Sequence, residues 1–281
     1  MADERAHKRE LALAAVEDVA HRVGLNTAGA VVIAESNNTI VRLPLEELVA
    51  KVSTSILERH GRAGLEREVW LGRRLAHHGV PVAPPADGDL AGPHQTPAGT
   101  LALWRYVSSG KTPGQDDRLL GEALRSFHAA LADVAGELPR LTDTIDLANR
   151  LLQDPAATPS LSQADRALAG RAHDRLIGLV DSLGNRTALH GEPHDGNIVW
   201  TAGGPVLLDF EAACQGPLEW DLAYLPAGAL GSFPGHDDDT TARLRAGVSF
   251  CVAAWCLANP HPTPAVAEAA TIHGNASAEA G

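Results

Sequence analysis

The sequence predicts an α+β chain in two parts, a small antiparallel sheet ahead of about residue 105 and a mainly helical region after it. Three observations predict it. Short apolar stretches bounded by turn residues crowd the first part, at 30–34, 39–43, 48–53 and 101–107. Longer stretches with apolar residues three and four apart fill the second, at 116–135, 142–152 and 162–183. Between those helices and a last one lies LHGEPHDGNIVWTAGGPVLLDFE, from Leu189 to Glu211, which reads as two short strands joined by a glycine turn.

In chain order, Leu11, Ala15, Val19 and Val23 recur at helical spacing, so 8–23 is an amphipathic helix on the first part. Three strands follow, with turns at 35–38 and 44–46. Alternation along the third puts Val49, Lys51 and Ser53 on one face and Leu48, Ala50 and Val52 on the other. Lysine occurs only at Lys8, Lys51 and Lys111, so one inside a strand stands out, although an isolated strand lysine is commonly a solvated edge residue. The helix at 63–77 carries Leu65, Val69, Gly72 and Leu75 on its apolar stripe with Glu68 along it. A carboxylate there either keeps its head in water or needs a buried partner, and Lys51 is the lysine of the neighbouring sheet. The Pro/Gly-rich stretch 86–99 reads as a loop, and the strand at 101–107 is the last before Ser108-Ser109-Gly110. After the hairpin, Gly216-Pro217-Leu218-Glu219-Trp220-Asp221 starts a helix, 247–258 is a final apolar helix, and 259–281 lacks the core pattern and is expected to fray.

With 281 residues and 44% apolar content the chain can fill two ordinary cores. No run reaches the roughly 18 apolar residues of a membrane span, and the charged start MADERAHKRE is no secretory signal, so a cytoplasmic protein with no membrane partner is expected. A net charge of −12 argues against a nucleic-acid partner and suits a cationic small substrate. Cys214, Cys251 and Cys256 show no metal-type spacing and read as reduced core residues.

The central stretch opens with His190, Glu192, His194, Asp195 and Asn197. A turn centred between Gly203 and Gly204 places Ile198 opposite Asp209 and Asn197 opposite Phe210, bringing Asn197 and Asp209 to the open end of the hairpin. An amide oxygen and a carboxylate are hard ligands for Mg²⁺, and Glu192 offers a nearby carboxylate to accept a hydroxyl proton. That pattern points to phosphoryl transfer.

Here the sequence resembles the aminoglycoside phosphotransferase-like enzymes, relatives of protein kinases that phosphorylate small molecules. Their catalytic loop reads H-G-D-x-x-x-x-N, followed by a hairpin and I-D-[FW]-E. His190-Gly191-Glu192 and Asn197 match in spacing, and Leu208-Asp209-Phe210-Glu211 follows. Glu192 departs from the pattern, standing where the family has Asp, one methylene longer. The resemblance implies a two-lobed protein-kinase-like fold: a nucleotide-binding lobe at 1–104, a hinge at 105–109, and a helical lobe at 110–281 holding the catalytic loop and substrate site.

It further implies that Ser36-Asn37, otherwise simply a turn, is a nucleotide-positioning loop without the family's glycine. Lys51 and Glu68 would position the phosphates. The main chain of Arg105, Tyr106 and Val107 would hold the base, or else be a plain linker. Glu192 would be the catalytic base, Asn197 and Asp209 would hold Mg²⁺, and His190 and Asp221 would support the loop. The implied activity is transfer of the γ-phosphoryl of ATP or GTP to a hydroxyl of an antibiotic or related natural product. Two other classes remain open. One is a nucleotide-binding protein without turnover; the other is a metal-dependent hydrolase using His190, Glu192, His194 and Asp195.

Overall fold

The computed structural model describes residues 2–35, 38–53, 62–110, 116–184 and 186–259, with 268 and 271 besides. Its elements run α1 (Ala2–Val23), β1 (Val31–Glu35), β2 (Asn38–Leu43), β3 (Leu48–Ser53), α2 (Arg62–His77), β4 (His94–Thr96), β5 (Gly99–Arg105) and α3 (Asp117–Ala130). Next come α4 (Leu141–Gln153), α5 (Gln163–Leu183), β6 (Thr187–Leu189), β7 (Ile198–Thr201) and β8 (Gly204–Leu207). The chain continues through β9 (Cys214–Gly216), α6 (Glu219–Leu222), α7 (Ala227–Leu230) and α8 (Asp238–Leu257). The expected fraying of 259–281 falls almost wholly outside the described residues.

The chain divides into two compact units, Met1–Ala130 with Asp195–Ala212, and Leu131–His194 with Ala213–Gly281. In this division α3 and the β7–β8 hairpin go with the sheet. Phe127 of α3 lies 5.7 Å from the Phe210 ring beyond the hairpin, and Gly110 N donates to Trp200 O at 3.0 Å.

In the first unit the sheet order is β1-β2-β3-β5-β4, antiparallel throughout. Val41, Leu43, Ala50, Val52, Leu101 and Leu103 are buried on one face. Helix α1 packs on the sheet with a stripe of small residues, Ala12, Ala15, Val16, Val19 and Ala20. Leu11 and Val23, expected in that stripe, are 37% and 40% exposed, because a helix lying close on a sheet sets its small side chains inward. The other face carries Lys51, paired across the strands with Ile40 and Ala102. Helix α2 approaches that face at Gly72, where a Cβ would come within 2.8 Å of the Trp104 ring and 2.9 Å of Pro85. The stretch 86–99, expected as a loop, contains the short edge strand β4.

The second unit is mainly helical. Leu141, Ile145, Ala148 and Leu152 of α4, Leu176 and Val180 of α5, and Leu244, Val248, Cys251 and Ala254 of α8 share one core with Trp220. Helix α5 opens on a capping box, Ser162 Oγ accepting from Asp165 N while Asp165 accepts from Ser162 N at 2.9 Å. Helix α8 begins at Asp238, where Asp237 accepts from Asp239 N, and runs on through the expected apolar stretch; its polar first turns hide from an apolar pattern. The two-stranded pair β6–β9 sets Leu189 opposite Cys214 and so fixes where the loop beginning at His190 leaves the core.

His173 of α5 bridges to Asp146 of α4 at 2.7 Å and to Asp174 at 3.0 Å. Burial depresses its pKa, but the hydrogen bonds and charges of the two carboxylates outweigh it and the net shift is upward. A histidine whose folded pKa lies above its unfolded value of about 6.5 adds stability that is full below that pH and fades as pH rises through the folded value. His173→Asn should therefore lower the melting temperature most below about pH 6 and least above about pH 8; a pH-independent difference would show that the clamp is not ionic.

Candidate active site

The hairpin pairs Ile198 with Leu207 and Thr201 with Gly204, which corrects the expected register by two residues. Thr201 closes the turn, its Oγ1 accepting from Gly203 N at 3.1 Å and donating to Gly204 O at 3.0 Å. Asn197, buried at the end of a 3₁₀ turn, therefore faces Leu208, whose N–H donates to Asn197 O at 2.9 Å. Asp209 lies one residue beyond that pair, in the left-handed region at φ +63°. This conformation costs a carboxyl residue little compared with a branched one and bends the chain as it leaves the strand.

Beyond the bend, Asp209 and Glu211 turn to Lys51 while Phe210 between them is buried against Trp104 and Phe127. Lys51 Nζ meets Asp209 Oδ1 at 2.8 Å, Glu68 Oε2 at 2.9 Å and Glu211 Oε2 at 3.0 Å. Lys51, Glu68 and Glu211 are buried; Asp209 is partly open. The second oxygen of Glu68 accepts from Phe210 N at 3.2 Å, tying α2 to the bend. Asn38 Nδ2 donates to Glu211 at 3.1 Å, and Arg67 holds the Glu211 carbonyl at 2.9 Å.

Burial opposes the charge on Lys51, yet the three carboxylates hold its pKa well above the ordinary lysine value. Glu68 shifts the other way for a carboxylate. Burial, with repulsion from Asp209 and Glu211, outweighs Lys51 and pushes it up to about 8. The cluster thus favours a charged lysine and a Glu68 that holds its proton more readily than an ordinary glutamate. Ligand oxygens of Glu68, Asp209 and Glu211 lie within 4.8 Å of one another. An all-carboxylate set suits a hard divalent cation such as Mg²⁺ or Ca²⁺ rather than a soft one. Among the described residues this is the one such group.

In the second unit, Asp221 holds the start of the loop after β6, accepting from His190 N at 2.8 Å and Gly191 N at 2.9 Å. His190 is fully buried, and Glu192 is half-buried. Burial and the Glu192 carboxylate push the Cys256 thiol up, so this cysteine stays protonated, in keeping with the inert role expected for it.

A model of the Phosphotransferase enzyme family matches residues 34–255. The chain belongs to that family. The enzyme is accordingly a phosphotransferase with an alcohol group as acceptor. Solved structures share its fold. A choline/ethanolamine kinase family protein from Mesorhizobium loti aligns with TM-score 0.64 at 18% identity over 96% of this chain and 94% of the other. An amicoumacin kinase in complex with AMP-PNP and Ca²⁺ aligns with TM-score 0.65 at 13% identity, covering 90% and 89%. An aminoglycoside phosphotransferase from Streptomyces rimosus aligns with TM-score 0.55 at 16% identity, covering 95% and 98%. The fold is thus kinase-like, and family membership implies a nucleotide donor and a divalent cation. No helix among the described residues is long and apolar enough to cross a membrane.

Of the phosphotransferase residues expected from the sequence, Lys51, Glu68 and Asp209 come together, whereas Ser36 and Asn37 lie outside the described residues. In the expected hinge, Arg105 N donates to Pro84 O at 2.9 Å and Tyr106 N to Glu47 O at 2.8 Å. Among the described residues the Val107 N–H has no partner. The Arg42 guanidinium stacks 4.0 Å over the Tyr106 ring, bracing the segment. Sequence reasoning assigned no role to Glu211, Asn38 or Trp220. The i, i+2 spacing of Asp209 and Glu211 was the available signal for the first.

Removing the cation from a buried cluster of carboxylates leaves uncompensated charge. Lys51→Met should cost about 3–5 kcal/mol of unfolding free energy, and Glu68→Gln, close in shape to the protonated acid, about 1 kcal/mol. Urea denaturation of both variants checks this; equal losses would show that the three carboxylates do not depend on the lysine.

Proposed function

We propose that this enzyme transfers the γ-phosphoryl group of ATP or GTP to a hydroxyl of an antibiotic or related natural product, with Mg²⁺ as the cation. The observation that carries the reading is one strand lysine held at 2.8–3.0 Å by three carboxylates, two of them flanking the phenylalanine after the hairpin. Lys51, oriented by Glu68, binds the α and β phosphates. Asp209 and Asn197 hold the cation, and Glu211 adds a carboxylate beside Asp209. When bound, the cation supplies positive charge against the phosphate oxygens. Ser36 and Asn37 support the phosphates through the main chain, and Arg105 to Val107 take the base, with Val107 N–H as the donor. In this reading 1–104 is the nucleotide-binding part, 105–109 the hinge, and 110–281 carries the catalytic loop and acceptor site. Glu192 accepts the proton as the acceptor hydroxyl attacks, on a loop supported by His190 and Asp221.

The acceptor class is supported by the amicoumacin kinase and aminoglycoside phosphotransferase among the similar structures, and the net charge of −12 suits a cationic acceptor. Because a choline/ethanolamine kinase family protein is also similar, the test spans both kinds. MgATP or MgGTP is incubated with a panel of aminoglycosides, other hydroxylated antibiotics, choline and ethanolamine, and products are read by mass for the gain of one phosphate. Phosphorylation of an antibiotic is expected; transfer confined to choline or ethanolamine would overturn the acceptor assignment.

Two variants test the residues. Glu192→Gln should bind nucleotide and acceptor as before and lose about 10²-fold or more in kcat, and wild-type turnover would mean another group takes the proton. Asp209→Asn keeps the side-chain shape but removes a charge that holds a hard cation. Divalent-dependent transfer should vanish, and full activity in that variant would rule out its metal role.

A further inference from the structure

Two adjacent residues of α6 hold the main chain on which Glu192 is mounted. Asp221 accepts from His190 N and Gly191 N with its two carboxylate oxygens, and Trp220 Nε1 donates to Gly191 O at 2.9 Å. His194 N then donates back to Glu192 O at 2.9 Å. Because each peptide is a rigid plane, these bonds fix the planes 189–190, 190–191, 191–192 and 192–193 in succession. Gly191 sits at φ +92°, a conformation open to glycine, and this turns its carbonyl toward the indole.

The Trp220 bond acts on the plane that leads directly to the Glu192 Cα. Its ring is 1% exposed in the helical core with Leu141, Leu189 and Leu244, so packing sets where the indole N–H points. Were the 191–192 plane to tilt, that donor and the buried Gly191 carbonyl would both lose their partner. A glutamate adds one more rotatable bond between main chain and carboxylate than an aspartate. A small tilt of its base therefore swings the carboxylate further.

We propose that Trp220 is a positioning residue for Glu192, aiming its carboxylate through the hydrogen bond to the Gly191 carbonyl. This rests on the reading of Glu192 as proton acceptor. Asp221 fixes the two planes before the glycine, and Trp220 fixes the one after it.

The test replaces Trp220 with β-(3-benzothienyl)alanine, which keeps the two-ring shape and puts sulfur where the N–H was; Trp220→Phe serves as a second variant. Two quantities are read on the full chain: hydrogen exchange of the peptide spanning 189–194, and phosphate release from MgATP with water as acceptor. In both variants exchange in 189–194 should rise about tenfold while α4 is unchanged, and kcat should fall about tenfold with KM for MgATP within about twofold. Unchanged exchange, or faster exchange with unchanged kcat, overturns the proposal. Glu192→Gln in the same assay separates the two claims. If it keeps wild-type kcat, the proton-acceptor reading fails; if it loses turnover while the benzothienyl protein does not, only the role of Trp220 falls.

Discussion

Burying the Lys51 ammonium costs several kcal/mol in lost hydration, and the rest of the first unit is arranged so that three carboxylates meet it. The lysine must sit on a central strand, and β3 lies between β2 and β5. Glu68 must reach it from a helix, and Gly72 lets α2 lie close on Trp104. Asp209 and Glu211 must both face it although a residue separates them, and the left-handed Asp209 with the buried Phe210 makes the bend that allows this. One positive charge against three negative leaves the cluster two charges short if all three ionise. Burial, with that deficit behind it, raises Glu68 to about 8, and the excess of negative charge suits the carboxylates to a divalent cation.

The second unit works by constraint of a different kind. Its core of α4, α5 and α8 closes around Trp220, and α6 uses consecutive residues to grip a loop of three peptides. Neutral and charged hydrogen bonds in a buried setting hold geometry more firmly than packing alone, since each displaced group would be left without water or partner. Stability of the helical core and geometry of the loop therefore depend on the same side chain.

Much of the layout was legible in the sequence because it follows periodicity. Alternation along 48–53 gave the face of Lys51, and the apolar stripe of 63–77 carried Glu68, so a buried pair was one of the two outcomes the pattern left open, and it is the one that forms, at 2.9 Å. What periodicity does not encode was misread or missed. The hairpin register turned on the Thr201 hydroxyl closing the turn, a polar local bond that the apolar pattern ignores. Glu211 needed the αL bend at Asp209, which hydrophobic periodicity does not announce. Trp220 carried no expected role, because a donor aimed at a main-chain carbonyl from another element leaves no trace in spacing. Leu11 and Val23 matched the helical period yet lie outside the stripe, since the sheet under α1 selects for size as well as polarity.

On the proposed function, Lys51 and its carboxylates form a site for a nucleotide carried with a divalent cation. Calorimetric titration of AMP-PNP into the protein, with Mg²⁺ and again with the cation chelated, tests it most directly. One-site binding that is strong with Mg²⁺ and lost or greatly weakened without it is the predicted result. Binding of equal strength in both conditions, or none in either, would contradict it.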